Sequence, residues 1–174
     1  RGSGLRPEVA LTFHTNGDPG LAGRLLDRLA ARRIPVTAFL IGDWLDEHPD
    51  LVRRLVADGH EPANHSWSHP AMGELDRAAV RDEIERCAAA LQRLTGTRGR
   101  WFRPSAVDVP GDAVRLAAAD TGYTTVVGYS LDSRDHTDPG AAAVVDTVTG
   151  SIRAGDIVSL HFDHPGTITA IDPI

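Results

Sequence analysis

Five short polar stretches of this 174-residue chain carry side chains that do chemistry. In "NHSWSH", residues 64–69, His65 and His69 stand four apart. Two neutral imidazoles so spaced share one divalent cation when a carboxylate and a water complete its shell; otherwise they are an exposed or hydrogen-bonded pair. In "SLHFDHP", 159–165, His161 closes an apolar run, where an imidazole titrating near neutrality protonates a leaving amine or is merely hydrogen-bonded. "SLDSRDH", 130–136, supplies Asp132 and Asp135, either of which can hold that imidazole, with a surface turn as the plain alternative for Asp135. "WFRPS" offers Arg103, whose guanidinium orients a carboxylate or polarises a substrate oxygen. "FHTNGDPG", 13–20, opens with His14 and Thr15 and brings its one acid, Asp18, late.

The elements that must position these groups alternate. Strands are predicted at 9–13, 36–41, 61–64, 101–103, 124–129 and 157–161, from short β-rich runs. Between them Leu21/Leu25/Leu29 and Leu51/Leu55 recur at helical spacing, and Val80, Ile84, Cys87/Ala88, Leu91 and Leu94 form a longer stripe, capped by Asp76 and stopped by Gly96. Such βα alternation specifies a mainly parallel sheet, as a barrel or an open α/β fold, with functional groups on loops after the strands. Each of the five polar stretches follows a predicted strand, so five loops are expected to converge on one rim.

Composition narrows the rest. With 41% hydrophobic residues the chain is long enough for one globular domain, expected over 1–174, and short for two. A net charge of -6 without a basic block excludes an electrostatic footprint for nucleic acid or an anionic membrane. No apolar run reaches the roughly 20 residues of a membrane span. The lone Cys87, inside a helical stripe, is expected as a buried thiol. "RGSGLRPE" reads as the trimmed start of a longer product, and "PGTITAIDPI" stops where a helical pattern could begin, so a final element is expected beyond it. Trp67 either walls a sugar groove or packs under the histidine loop; Trp44 and Trp101 are expected in the core.

Taken in order, "VALTFHTNGDPG", "HSWSH", "FRPS", "SLDSRDH" and "VSLHFDH" resemble the five motifs of the polysaccharide deacetylase family, the NodB-homology domains of carbohydrate esterase family 4. The resemblance implies a distorted (β/α) barrel of the NodB-homology type. It also implies a secreted or cell-surface monomer acting on acylated glycans, with one divalent metal ion, zinc first among the candidates. By the same likeness His65 and His69 are metal ligands, His161 the general acid, Asp132 the acid that tunes it, and Arg103 the arginine that holds the base. Ser105 and Ala106 replace the family's proline and aromatic after Pro104. The first motif departs most, reading "TFHTNGD" for "TFDDG". His14 then takes the base position or adds a ligand, Thr15 falls on the ligand position, and Asp18 is the carboxylate able to restore the metal set. Three outcomes follow: a rebuilt hydrolase, a catalytically silent glycan-binding pseudoenzyme, or a metal-free hydrolase on the same scaffold.

Overall fold

The computed structural model describes residue 2 and residues 4–174; Arg1 and Ser3, in the opening stretch read as a trimmed start, lie outside the described residues. In chain order the elements are β1 (Ala10–Thr15), α1 (Pro19–Arg32), β2 (Thr37–Leu40), α2 (Gly42–Glu47), α3 (Pro49–Ala57), β3 (Glu61–Asn64), α4 (Arg77–Thr95), α5 (Asp112–Asp120), β4 (Leu131–Asp132), α6 (Ala141–Ser151), β5 (Ile157–His161) and α7 (Pro165–Ala170). They make an α/β fold whose five-stranded parallel sheet runs β3-β2-β1-β5-β4.

The expected strands at 101–103 and 124–129 are reduced to isolated parallel bridges, Asn64 with Phe102 and Phe102 with Val126. The sequence around them explains why. Pro104 brings no N–H to a ladder, and the carbonyls of Val127 and Gly128 accept from the Arg103 side chain, at 3.1 Å each. A two-residue strand, β4, forms further on instead. The pattern at the chain's end does form a helix, α7, within the described residues.

The chain does not divide into successive halves. Its two compact units are interleaved: one is residues 1–38, 58–60 and 129–174, the other 39–57 and 61–128. In the first, β1 and β5 pair in parallel from Ala10 opposite Ile157 to His14 opposite His161. Directly paired residues project to the same face of a sheet, so this register sets the two imidazoles side by side. Underneath, Phe13 and Phe162 meet edge to face at 5.3 Å. Helix α1 buries Leu25, Leu26 and Leu29 and ends on Arg33 in the left-handed region.

In the second unit α4 behaves as its spacing predicts. Asp76 accepts from the N–H of Ala79 at 2.8 Å, Gly96 closes the helix at φ 78°, and Val80, Ile84, Cys87, Ala88 and Leu91 are buried. Ile84 and Ala88 share a core with Met72, Phe102, Val114 and Tyr123. Each fully buried large apolar side chain there contributes roughly 1.5–3 kcal/mol. Among the described residues no helix is long and apolar enough to cross a membrane.

Candidate active site

His14 and His161, brought level by the β1–β5 register, are hydrogen-bonded, with Nδ1 of His14 at 3.0 Å from Nε2 of His161. The other nitrogen of His161, Nδ1, lies 2.8 Å from Oδ1 of Asp135. Asp135 is 1% exposed and fully engaged: its Oδ2 accepts from the backbone N–H of His161 at 2.7 Å and from the hydroxyl of Thr167 at 2.6 Å. Burial alone would push this carboxyl up, but the hydrogen bond and charge of His161, with the Thr167 hydroxyl and the His161 amide, outweigh it and hold the carboxyl below its ordinary value. Asp135 is therefore ionised at neutral pH and only accepts. Two further imidazoles surround the pair, with ring centroids 5.6 Å (His136) and 5.8 Å (His164) from that of His161.

Asp132 is not the partner of His161. Its Oδ1 accepts from the N–H of Arg134 at 2.9 Å, an Asx turn, and that turn places Asp135, three residues on, against the imidazole. The reading of "SLDSRDH" that assigned Asp132 is corrected to Asp135. Thr167, which fixes the far oxygen of Asp135, carried no signal in the sequence, since a threonine in a C-terminal helix is unremarkable on its own.

In the second unit, His65 is buried and leaves β3 with Nδ1 2.8 Å from the carbonyl of Arg103. A carbonyl cannot donate, so Nδ1 carries the proton and the lone pair is on Nε2, the tautomer in which imidazole ligates a metal. The ring of His69 lies 5.0 Å away, edge to face. The loop between them is held from several sides. Asn64, fully buried, accepts from the N–H of Ser66 at 3.0 Å; Glu83 of α4 accepts from the N–H groups of Trp67 and Ser68 at 2.9 and 2.8 Å; and the N–H of Gly42 donates to Ser66 O at 2.9 Å. Ser66 and His69 adopt φ of 70° and 57°, a left-handed geometry that costs a non-glycine residue energy and is found where a loop is over-determined. Ser105, in place of the family's proline, is fully buried and donates to Pro70 O at 2.6 Å, tying the "FRPS" turn to the histidine loop. Glu83 and Ser105 were not identifiable from spacing, because each acts across many residues of sequence.

The remaining positions are placed as follows. Arg103 is 3% exposed and its guanidinium lies 4.0 Å over the ring of Phe39 while donating to Val127 O and Gly128 O. Asp18 is the N-cap of α1, its Oδ1 accepting from the N–H of Gly20 at 2.6 Å, and Thr15 is fully buried. Trp67 packs against Gly42 with the guanidinium of Arg86 4.5 Å over its ring, the packing alternative rather than an open sugar platform. Among the described residues, Asp135, His136 and His161 bring potential ligand atoms within 4.8 Å of one another, a spacing able to hold an ion. Within that group Asp135 and His161 are hydrogen-bonded to each other.

The parallel α/β scaffold carries an ionised aspartate and paired imidazoles in its first unit and a tightly held histidine loop in its second. The model of the polysaccharide deacetylase family matches residues 1–126, and the chain belongs to that family, whose enzymes act on carbon–nitrogen (amide) bonds. A chitooligosaccharide deacetylase of Sinorhizobium fredii is 35% identical over 155 residues, 89% of this chain and 72% of that protein. Among solved structures, a peptidoglycan N-acetylglucosamine deacetylase superposes with a TM-score of 0.91 at 26% identity, covering 98% of this chain and 81% of that one. A family 4 carbohydrate esterase pseudoenzyme from Bacillus anthracis gives 0.92 at 27%, covering 99% and 60%.

Proposed function

We propose that this chain removes N-acetyl groups from a glycan containing N-acetylglucosamine, such as peptidoglycan or a chitin-like chain, at or outside the cell surface. The observation that carries the reading is the hydrogen-bonded line Asp135–His161–His14, an ionised carboxylate behind two imidazoles. Amide hydrolysis needs a proton removed from water and a proton delivered to the departing nitrogen, and this line is built to handle both. His65, with its lone pair on Nε2, and His69 would hold a divalent ion, zinc by the nature of the donors. Bound there, the ion supplies a more acidic water and polarises the acyl oxygen.

A second reading is favoured by the first motif. Thr15, fully buried, is a poor ligand, and Asp18 is committed to capping α1, as a glycan-binding protein without turnover would tolerate. Acetate release from chitin oligomers and from peptidoglycan, with and without added zinc, separates the two. The deacetylase reading expects release that His161→Ala and His65→Ala both abolish. No release from zinc-loaded protein, with glycan affinity retained, decides for the pseudoenzyme.

A further inference from the structure

The family resemblance assigns the two proton transfers to separate side chains, with His161 as the acid. The hydrogen bonds here argue otherwise. We propose, resting on the deacetylase reading above, that one nitrogen, Nε2 of His14, both takes the proton from water and returns it to the leaving amine, and that His161 is a positioning residue behind it.

The argument runs through tautomers. Asp135 is an ionised acceptor, so Nδ1 of His161 carries a proton; in the neutral ring, the only form that can take up a further proton, the lone pair is on Nε2. That lone pair faces Nδ1 of His14 at 3.0 Å, so Nδ1 of His14 is the donor and the lone pair of His14 is on Nε2. Both nitrogens of His161 are thus engaged, and it cannot reach a leaving group without breaking its bond to His14. The arrangement is that of a carboxylate and an imidazole activating a third group, with a second imidazole in place of the usual hydroxyl.

The proton balance closes. As the water oxygen bonds to the acyl carbon, Nε2 of His14 accepts a water proton, and the Nδ1 proton of His14 moves to Nε2 of His161. The positive charge then rests beside the Asp135 carboxylate. As the C–N bond breaks, Nε2 of His14 gives its proton to the amine nitrogen and Nδ1 recovers the proton held by His161. Acetic acid and amine leave, to become acetate and ammonium by exchanging a proton in water, and both rings return to their starting tautomers.

Two measurements on the zinc-loaded protein test this. The first compares an N-acetyl sugar with an activated aryl acetate, whose phenolate leaves without a proton. If His161 supports His14 in both transfers, His161→Ala lowers both rates by about 10²-fold or more, as does His14→Ala. Loss of the amide rate with the aryl ester rate retained would overturn the proposal, because it marks His161 as the direct acid. The second reads imidazole ¹⁵N shifts and needs no turnover. The expected pattern is Nδ1–H on both rings, with the His14 pattern disturbed in His161→Gln and in Asp135→Asn. An Nε2–H tautomer on His14, or a His14 signal indifferent to both substitutions, would also overturn it. A protein with the expected tautomers and no hydrolysis of either substrate would sink the deacetylase reading and, with it, the catalytic role proposed for Nε2.

Discussion

Asp135 grips His161 twice, once at the ring, Oδ1 to Nδ1 at 2.8 Å, and once at the backbone, Oδ2 to the N–H at 2.7 Å. One carboxylate thereby sets both where the imidazole sits and which nitrogen bears its proton. Asp135→Asn keeps the shape, but its amide can donate toward Nδ1 and favour the opposite tautomer. We expect acetate release to fall by about 10²-fold or more with little change in KM, measured by steady-state kinetics on one N-acetyl substrate.

The same carboxylate makes a pH prediction. Its pKa is depressed on folding, so its contribution to stability is complete above the unfolded value near 3.8 and is lost as pH falls through the lower folded value. Thermal unfolding followed from pH 6 down to pH 2 should show wild type losing more stability than Asp135→Asn below about pH 4. Parallel curves would mean the carboxylate titrates alike in both states.

Glu83 is expected to matter to metal binding although it is no ligand. It pins the N–H groups of Trp67 and Ser68 between the two histidines, so Glu83→Ala should loosen the pair and weaken zinc affinity by about 10–100-fold. Calorimetric titration with zinc gives the number, and an unchanged affinity would show that the other anchors of the loop suffice.

Asp18 separates two roles by comparison of variants. As an N-cap its loss in Asp18→Ala should cost about 1 kcal/mol in urea unfolding, with Asp18→Ser nearly neutral because a hydroxyl also caps. If bound zinc also drops in both variants, the carboxylate is serving the ion as well as the helix.

Cys87 is buried, and that burial pushes its thiol up to about 12. It should therefore resist an aromatic disulfide reagent at pH 8 in the folded protein and react at once in denaturant. Fast labelling of native protein would show that α4 opens.

Much of this was legible in the residues. Helix α4 was, because an apolar stripe between Asp76 and Gly96 is a local signal that packing had no reason to override. The pairing of His14 with His161 was half legible: both close apolar strand runs, but only the β1–β5 register, 147 residues apart, shows that they bond each other. The choice between Asp132 and Asp135 turned on an Asx turn that either aspartate could have made. The strands near 102 and 126 failed because the Arg103 side chain takes carbonyls that a ladder would have used, a competition between residues more than twenty apart. Glu83 acts at shorter range and Ser105 and Thr167 at longer, all through side-chain hydrogen bonds that no sequence period encodes.

The interleaving of the two units also imposes a timetable. The second unit lies wholly within residues 39–128, whereas the first draws on the stretches to either side. During synthesis β1 emerges before its partner β5, which follows almost 150 residues later, roughly 7–30 s at about 5–20 residues per second. Until then one edge of β1 is open to wrong partners, and His14 has no His161 to bond. The line Asp135–His161–His14 thus cannot exist until the residues of the second unit have been made, and its appearance on a nascent chain would report that β1 and β5 have paired.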